Sequence, residues 1–136
     1  MKILIVDDDE TNQILLTGIL RKYGECICED DGKKALGTFV EALYDRAPFD
    51  LILLDIMMPN IDGQKTLKVI REIEKKWQVK PGDETKVIMV TALDSPKEVA
   101  KAYFHGDAIG YIVKPVEFKG LKIVIEKLFE RDELHM

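Results

Sequence analysis

The chain of 136 residues is short of cysteine, of basic charge and of long apolar runs, and each shortage removes a class of protein. There are two cysteines, Cys26 and Cys28. Two residues apart on a short strand they are poorly placed to pair, and two ligands alone make no zinc site, so they read as core or rim thiols. Lys and Arg number 20 against 25 Asp and Glu, a formal net charge of -5, which offers no overall basic footprint for nucleic acid. No apolar stretch approaches the ~18 residues of a membrane span. The opening MKILIV reaches Asp7 too soon for the apolar core of a signal peptide. A cytoplasmic protein is the expectation.

What is present is an alternation of two periodicities. Continuous apolar runs at Ile3 to Val6, Glu25 to Glu29 with its apolar centre, Phe49 to Leu54, Val87 to Val90 and Ala108 to Val113 read as strands. Between them lie helical patterns. The first runs from Asp9 to Tyr23 with Gly24 as its C-cap. The second is capped by Asp31 and carries Leu36, Phe39, Val40 and Leu43 on one stripe. The third is capped by Asp62 and turns Leu67, Ile70, Ile73 and Trp77 inward. A fourth runs from Ser95 to about His105, and a last helix after Pro115 places Phe118, Leu121, Val124, Ile125 and Leu128 on one face. Five strands alternating with five helices imply an α/β domain, a doubly wound parallel sheet covered on both sides. With no repeat, low-complexity tract or second domain in view, one domain over residues 1–136 without an output module is expected.

In a parallel sheet all strands point the same way, so the residues that follow the apolar runs share one edge. They are Asp7, Asp8 and Asp9 after the first, Asp55 after the third, Thr91 after the fourth and Lys114 after the fifth. With strand order 2-1-3-4-5 the crevice lies between strands one and three, where Asp8 and Asp55 face each other. Clustered carboxylates suit a hard, oxygen-loving divalent cation, Mg²⁺ above all. A phosphoryl group esterified to Asp55 would remove that carboxylate charge and need a hydroxyl and an ammonium at its oxygens, which Thr91 and Lys114 can supply.

The motifs IVDDD, LLDIMMPNIDG, VTA and YIVKP, in that order and spread over essentially the whole chain, resemble those of receiver domains of bacterial two-component response regulators. The resemblance implies a flavodoxin-like (βα)5 fold. It implies a phosphoacceptor at Asp55 fed by a kinase phosphohistidine. It further implies Mg²⁺ held by Asp8, Asp7, Asp55 and the backbone carbonyl of Met57, phosphoryl contacts from Thr91 and Lys114, and an aromatic switch at Tyr111. Two positions that tune self-dephosphorylation fall on Met57 and Leu93. Neither can hydrogen-bond an attacking water, so slow hydrolysis is expected. The face of the first helix bearing Thr11, Leu15 and Gly18, with Pro115, corresponds to the docking site for a histidine kinase or histidine phosphotransfer protein. An unknown downstream protein, or a second copy in a homodimer, would meet the face of the fourth helix, fifth strand and fifth helix. A phosphoacceptor switch of this kind is not a turnover enzyme.

Two other readings compete. Asp7, Asp9 and Thr11 spell the D-x-D-x-T pattern of haloacid-dehalogenase-like phosphatases, with Asp7 as nucleophile. That reading leaves Asp55, Pro59 and Gly63 unexplained, and Asp9 serves equally as the N-cap of the first helix. An inert receiver-like interaction module is disfavoured because no acidic or basic member of the site is missing.

Overall fold

The structure, a computed structural model, describes residues 1–56, 62–91, 108–114 and 116–134, with the backbone alone for Thr91 and residues 129–134. The elements are β1 (Lys2–Val6), α1 (Glu10–Leu20), β2 (Glu25–Glu29), α2 (Gly32–Tyr44), β3 (Leu51–Asp55), α3 (Gly63–Lys76), β4 (Lys86–Thr91), β5 (Gly110–Val113) and the C-terminal helix α4 (Phe118–Leu134). The helix expected between β4 and β5 falls on residues outside those described. All strand pairs are parallel, and the order is β2-β1-β3-β4-β5.

Each apolar run is divided between two cores by the twofold period of a strand. Leu4, Val6, Ile52, Leu54, Val87 and Met89 face α2 and α3, where Phe39, Leu67 and Ile70 close over them. Ile3, Ile5, Leu51, Leu53, Ile88 and Val90 face α1 and α4, against Leu16, Leu20, Leu121 and Ile125. Burial on both faces is why these strands read as continuous apolar runs instead of alternating ones.

Three helices start on an aspartate, as expected. Asp9, Asp31 and Asp62 each accept a backbone N–H, from Thr11 at 2.8 Å, Lys34 at 2.7 Å and Lys65 at 2.9 Å. Each cap is worth ~1 kcal/mol against alanine.

Three local expectations are corrected. α1 ends at Leu20 with Arg21 as C-cap, so Gly24 does not cap it. Gly24 is instead required by a close approach, because a Cβ there would lie 2.1 Å from the carbonyl oxygen of Met1, which accepts the N–H of Glu25 at 2.9 Å. Trp77 is 43% exposed at the end of α3, since Glu74 takes the last inward position. Phe118, at the first position of α4, is 48% exposed, and the buried stripe begins at Leu121.

Candidate functional site

The parallel register brings the strand ends level. Val6 is opposite Leu54, Asp55 is opposite Val90 and Thr91 is opposite Val113. Because β2 and β3 flank β1 on opposite sides, the chain leaves β1 at the point where the strand order reverses. Asp7 and Asp8 therefore come out beside Asp55.

Asp7 is almost wholly buried, at 1% exposure. Its N–H donates to the carbonyl of Glu29 at 3.1 Å, and its own carbonyl accepts Gln13 Nε2 at 2.7 Å. Of its carboxylate oxygens, Oδ1 accepts the N–H of Asp9 at 2.9 Å, while Oδ2 is buried with no hydrogen-bond partner. Burial pushes the Asp7 carboxyl above the ordinary aspartate range; the Asp9 N–H and Lys114 oppose this, and Asp8 and Asp9 add to it.

Asp55 is equally buried and accepts Lys114 Nζ at Oδ2, 3.0 Å away. The same ammonium is 3.9 Å from Asp7 Oδ2. Desolvation works to lower the pKa of Lys114, but the hydrogen bond and charge of Asp55, helped by Asp7 and Asp8, outweigh it and hold the ammonium above its usual value. Lys114 is thus a fixed positive charge at neutral pH.

One carboxylate oxygen from each of Asp7, Asp8 and Asp55 lies within 4.8 Å of the others, with Asp8 exposed. Three hard oxygen donors, on a cluster in which Asp7 also has an orphaned oxygen, fit a divalent cation of the Mg²⁺ class. Solvent reaches the cluster from the Asp8 side.

Behind Asp55, α3 begins against the backbone of β3. The N–H of Gly63 donates to the carbonyl of Ile56 at 3.0 Å, and a Cβ on Gly63 would sit 2.3 Å from the carbonyl oxygen of Asp55. Only glycine allows this approach. Neither this contact nor the Gln13 bond was visible as such in the sequence. The Asp62-Gly63 pair at a helix start, just after the Asp55 stretch, was the available signal.

The other expected positions divide as follows. Met57, Leu93 and Pro115 lie outside the described residues, and for Thr91 the backbone alone places it at the carboxyl end of β4. Tyr111 lies on β5 and is 47% exposed. Thr11, Leu15 and Gly18 are exposed together along α1, beside Ile14 at 68% exposure. Asp9 is engaged as the N-cap of α1.

A family model described as the response regulator receiver domain matches residues 3–133. The chain is 31% identical over 144 residues to probable histidine kinase 5 of Oryza sativa subsp. japonica, covering 96% of this chain but only 12% of that protein. It is 35% identical over 133 residues to the chemotaxis protein CheY of Pseudomonas aeruginosa, covering 96% of this chain and 98% of that one. Among solved structures, the receiver domain of the histidine kinase CKI1 from Arabidopsis thaliana matches with a TM-score of 0.80 at 29% identity, over 95% of this chain and 89% of that one.

Proposed function

The chain belongs to the response regulator receiver family, whose members are phosphoacceptors in two-component signalling, and from that premise we propose that Asp55 is its acceptor, served by Asp7, Asp8 and Lys114. The observation that carries this reading is the pairing of Asp55 Oδ2 with Lys114 Nζ at 3.0 Å inside a cluster that leaves a neighbouring buried oxygen, Asp7 Oδ2, without a hydrogen bond. A purely structural ion pair has no use for that orphan.

In the proposed reaction an Asp55 carboxylate oxygen forms a bond to phosphorus as the bond from phosphorus to the donor's imidazole nitrogen breaks, and the electron pair stays on that nitrogen. Lys114 then turns from the Asp55 carboxylate to the phosphoryl oxygens, exchanging one charge-assisted hydrogen bond for another. A bound Mg²⁺, held by Asp7, Asp8 and Asp55 with the carbonyl of Met57, supplies positive charge for the phosphoryl oxygens. Thr91 contributes its hydroxyl to the same group. Desolvation of Asp7 and Asp55 keeps these interactions strong, since charges count for more where water is excluded.

The donor is a histidine kinase or histidine phosphotransfer protein meeting the exposed Thr11, Leu15 and Gly18 face of α1 together with Pro115. The read-out passes through Tyr111 to a downstream protein or a second copy. The 136 residues act as one receiver unit, in the cytoplasm, and Met57 and Leu93 give the phosphorylated state a slow hydrolysis.

The test is a mass measurement after incubation with acetyl phosphate and Mg²⁺. One phosphoryl adduct is expected, absent from Asp55→Ala. An adduct that survives in Asp55→Ala and disappears in Asp7→Asn, with turnover of phosphate esters, would overturn the proposal in favour of a phosphatase.

A further inference from the structure

Asp7 is the residue at which β1 has ended, and the chain grips it from both sides. From β2, the carbonyl of Glu29 accepts the Asp7 N–H at 3.1 Å. From the start of α1, the Asp9 N–H donates to Asp7 Oδ1 at 2.9 Å and Gln13 Nε2 donates to the Asp7 carbonyl at 2.7 Å. Gln13 is itself held in place. Its N–H donates to the carbonyl of Asp9 at 3.0 Å, and its side chain is half-buried.

The carbonyl of Asp7 lies in the rigid peptide plane shared with Asp8. A partner that fixes this oxygen therefore fixes the direction in which Asp8 leaves the chain. Asp8 has no other guide among the described residues, since it is exposed and its carboxylate accepts no hydrogen bond there. Asp7 and Asp55, by contrast, are buried at 1% exposure and bonded through their own carboxylates. The third oxygen of the cluster, within 4.8 Å of the other two, is thus placed through the backbone. The one side chain bonded to that backbone among the described residues is Gln13. A carboxamide suits the position because it donates without bringing charge. A lysine or arginine would set a positive charge beside a cation.

We propose that Gln13 is a positioning residue for the divalent cation, holding the Asp7–Asp8 peptide so that the Asp8 carboxylate is presented to the metal. The inference rests on Asp7, Asp8 and Asp55 being the cation site. It carries a consequence for selectivity. Mg²⁺ demands a near-ideal set of oxygens, whereas Ca²⁺ accepts a flexible one. Loosening Asp8 therefore costs Mg²⁺ more than Ca²⁺. A glutamine that merely satisfied a carbonyl would have no such effect.

The test takes dissociation constants for Mg²⁺ and Ca²⁺ from the rise of the thermal midpoint with metal concentration, which involves no phosphoryl transfer. Gln13→Met keeps the length of the side chain and removes the donor. It should unfold cooperatively, bind Mg²⁺ about tenfold more weakly, as loss of a group supporting a ligand does, and bind Ca²⁺ less than about threefold more weakly. Gln13→Lys keeps a donor and adds charge, so it should weaken both cations by the same factor and leave their ratio as in the parent. Thr85→Val, at the other end of the sheet, should lower the metal-free midpoint and alter neither affinity, which separates positioning from a general loss of stability. Equal weakening of the two cations in Gln13→Met overturns the proposal, as does a Gln13→Lys variant whose ratio falls like that of Gln13→Met. A parent midpoint that rises with Mg²⁺, a rise abolished in Asp7→Asn but intact in Gln13→Met, overturns this inference alone. A parent with no such rise overturns the cation site along with it.

Discussion

Glu74 and Asp7 are both buried carboxylates beside a cation, at opposite ends of one sheet, and they are satisfied to very different degrees. Glu74, 3% exposed, accepts Arg71 Nη1 at Oε1, 2.6 Å away, and the N–H of Thr85 at Oε2, 2.8 Å away. Arg71 also donates to the carbonyl of Thr85 at 2.9 Å, and Thr85 Oγ1 donates to the carbonyl of Phe49 at 2.8 Å. This clasp ties the incoming ends of β3 and β4 to α3. Asp7 has one oxygen bonded to a single backbone N–H and the other unbonded, with Lys114 at 3.9 Å and already engaged by Asp55. A buried polar group normally finds its partner within the fold. Glu74 does so and holds the scaffold together, whereas Asp7 keeps a buried oxygen without a hydrogen bond.

If that contrast is right, the largest effect on folding belongs to the satisfied end. Glu74→Ala takes the acceptor from the Thr85 N–H and one of its partners from Arg71, and removing one partner of a buried ion pair costs about 3–5 kcal/mol. Urea unfolding should show this loss, while phosphoryl uptake by the folded protein from acetyl phosphate stays as in the parent. A loss under about 1 kcal/mol, the scale of a surface pair, would mean that the clasp is ornamental. Next in size is Thr85→Val, which keeps the shape but strands the buried carbonyl of Phe49. An unsatisfied buried acceptor costs about 1–3 kcal/mol, read from the urea midpoint at unchanged slope. A neutral Thr85→Val would confine the clasp to its charged members.

The contrast was half legible in the sequence. The carboxylate end could be read because a parallel sheet brings the residue after every strand to one edge, so Asp7, Asp55 and Lys114 converge whatever the details of packing. The three aspartate caps followed from equally local rules, whereas the order β2-β1-β3-β4-β5 came with the fold class and not from any local signal. The Glu74 clasp could not be read. A glutamate in a helix rich in lysine is ordinarily solvated, and its burial depends on Arg71 one turn back and on Thr85, 11 residues on across a loop. The same long-range fact displaced Trp77 from the core to the surface. Gly24 was misread for a related reason: helix-ending glycines are common, and the approach of Met1 that demands a glycine there is a tertiary contact.

The smallest effect tests the unsatisfied end. Burial raises the folded-state pKa of Asp7 above the ordinary aspartate value. Between the unfolded and folded values the native state holds a proton that the unfolded chain has released, so stability falls as pH rises through that window, and the loss is complete above it. Asp7→Asn removes this contribution. In metal-free protein the variant should gain stability relative to the parent as pH rises from about 4 toward neutrality, the difference levelling off above the folded pKa. Adding Mg²⁺ at pH 7 should reverse the order, because a cation that binds only the folded state stabilises the parent by mass action and finds a weakened site in Asp7→Asn. Parallel pH profiles for the two proteins, together with equal responses to Mg²⁺, would show that Asp7 is as well satisfied as Glu74. The two ends of the sheet would then differ only in sequence.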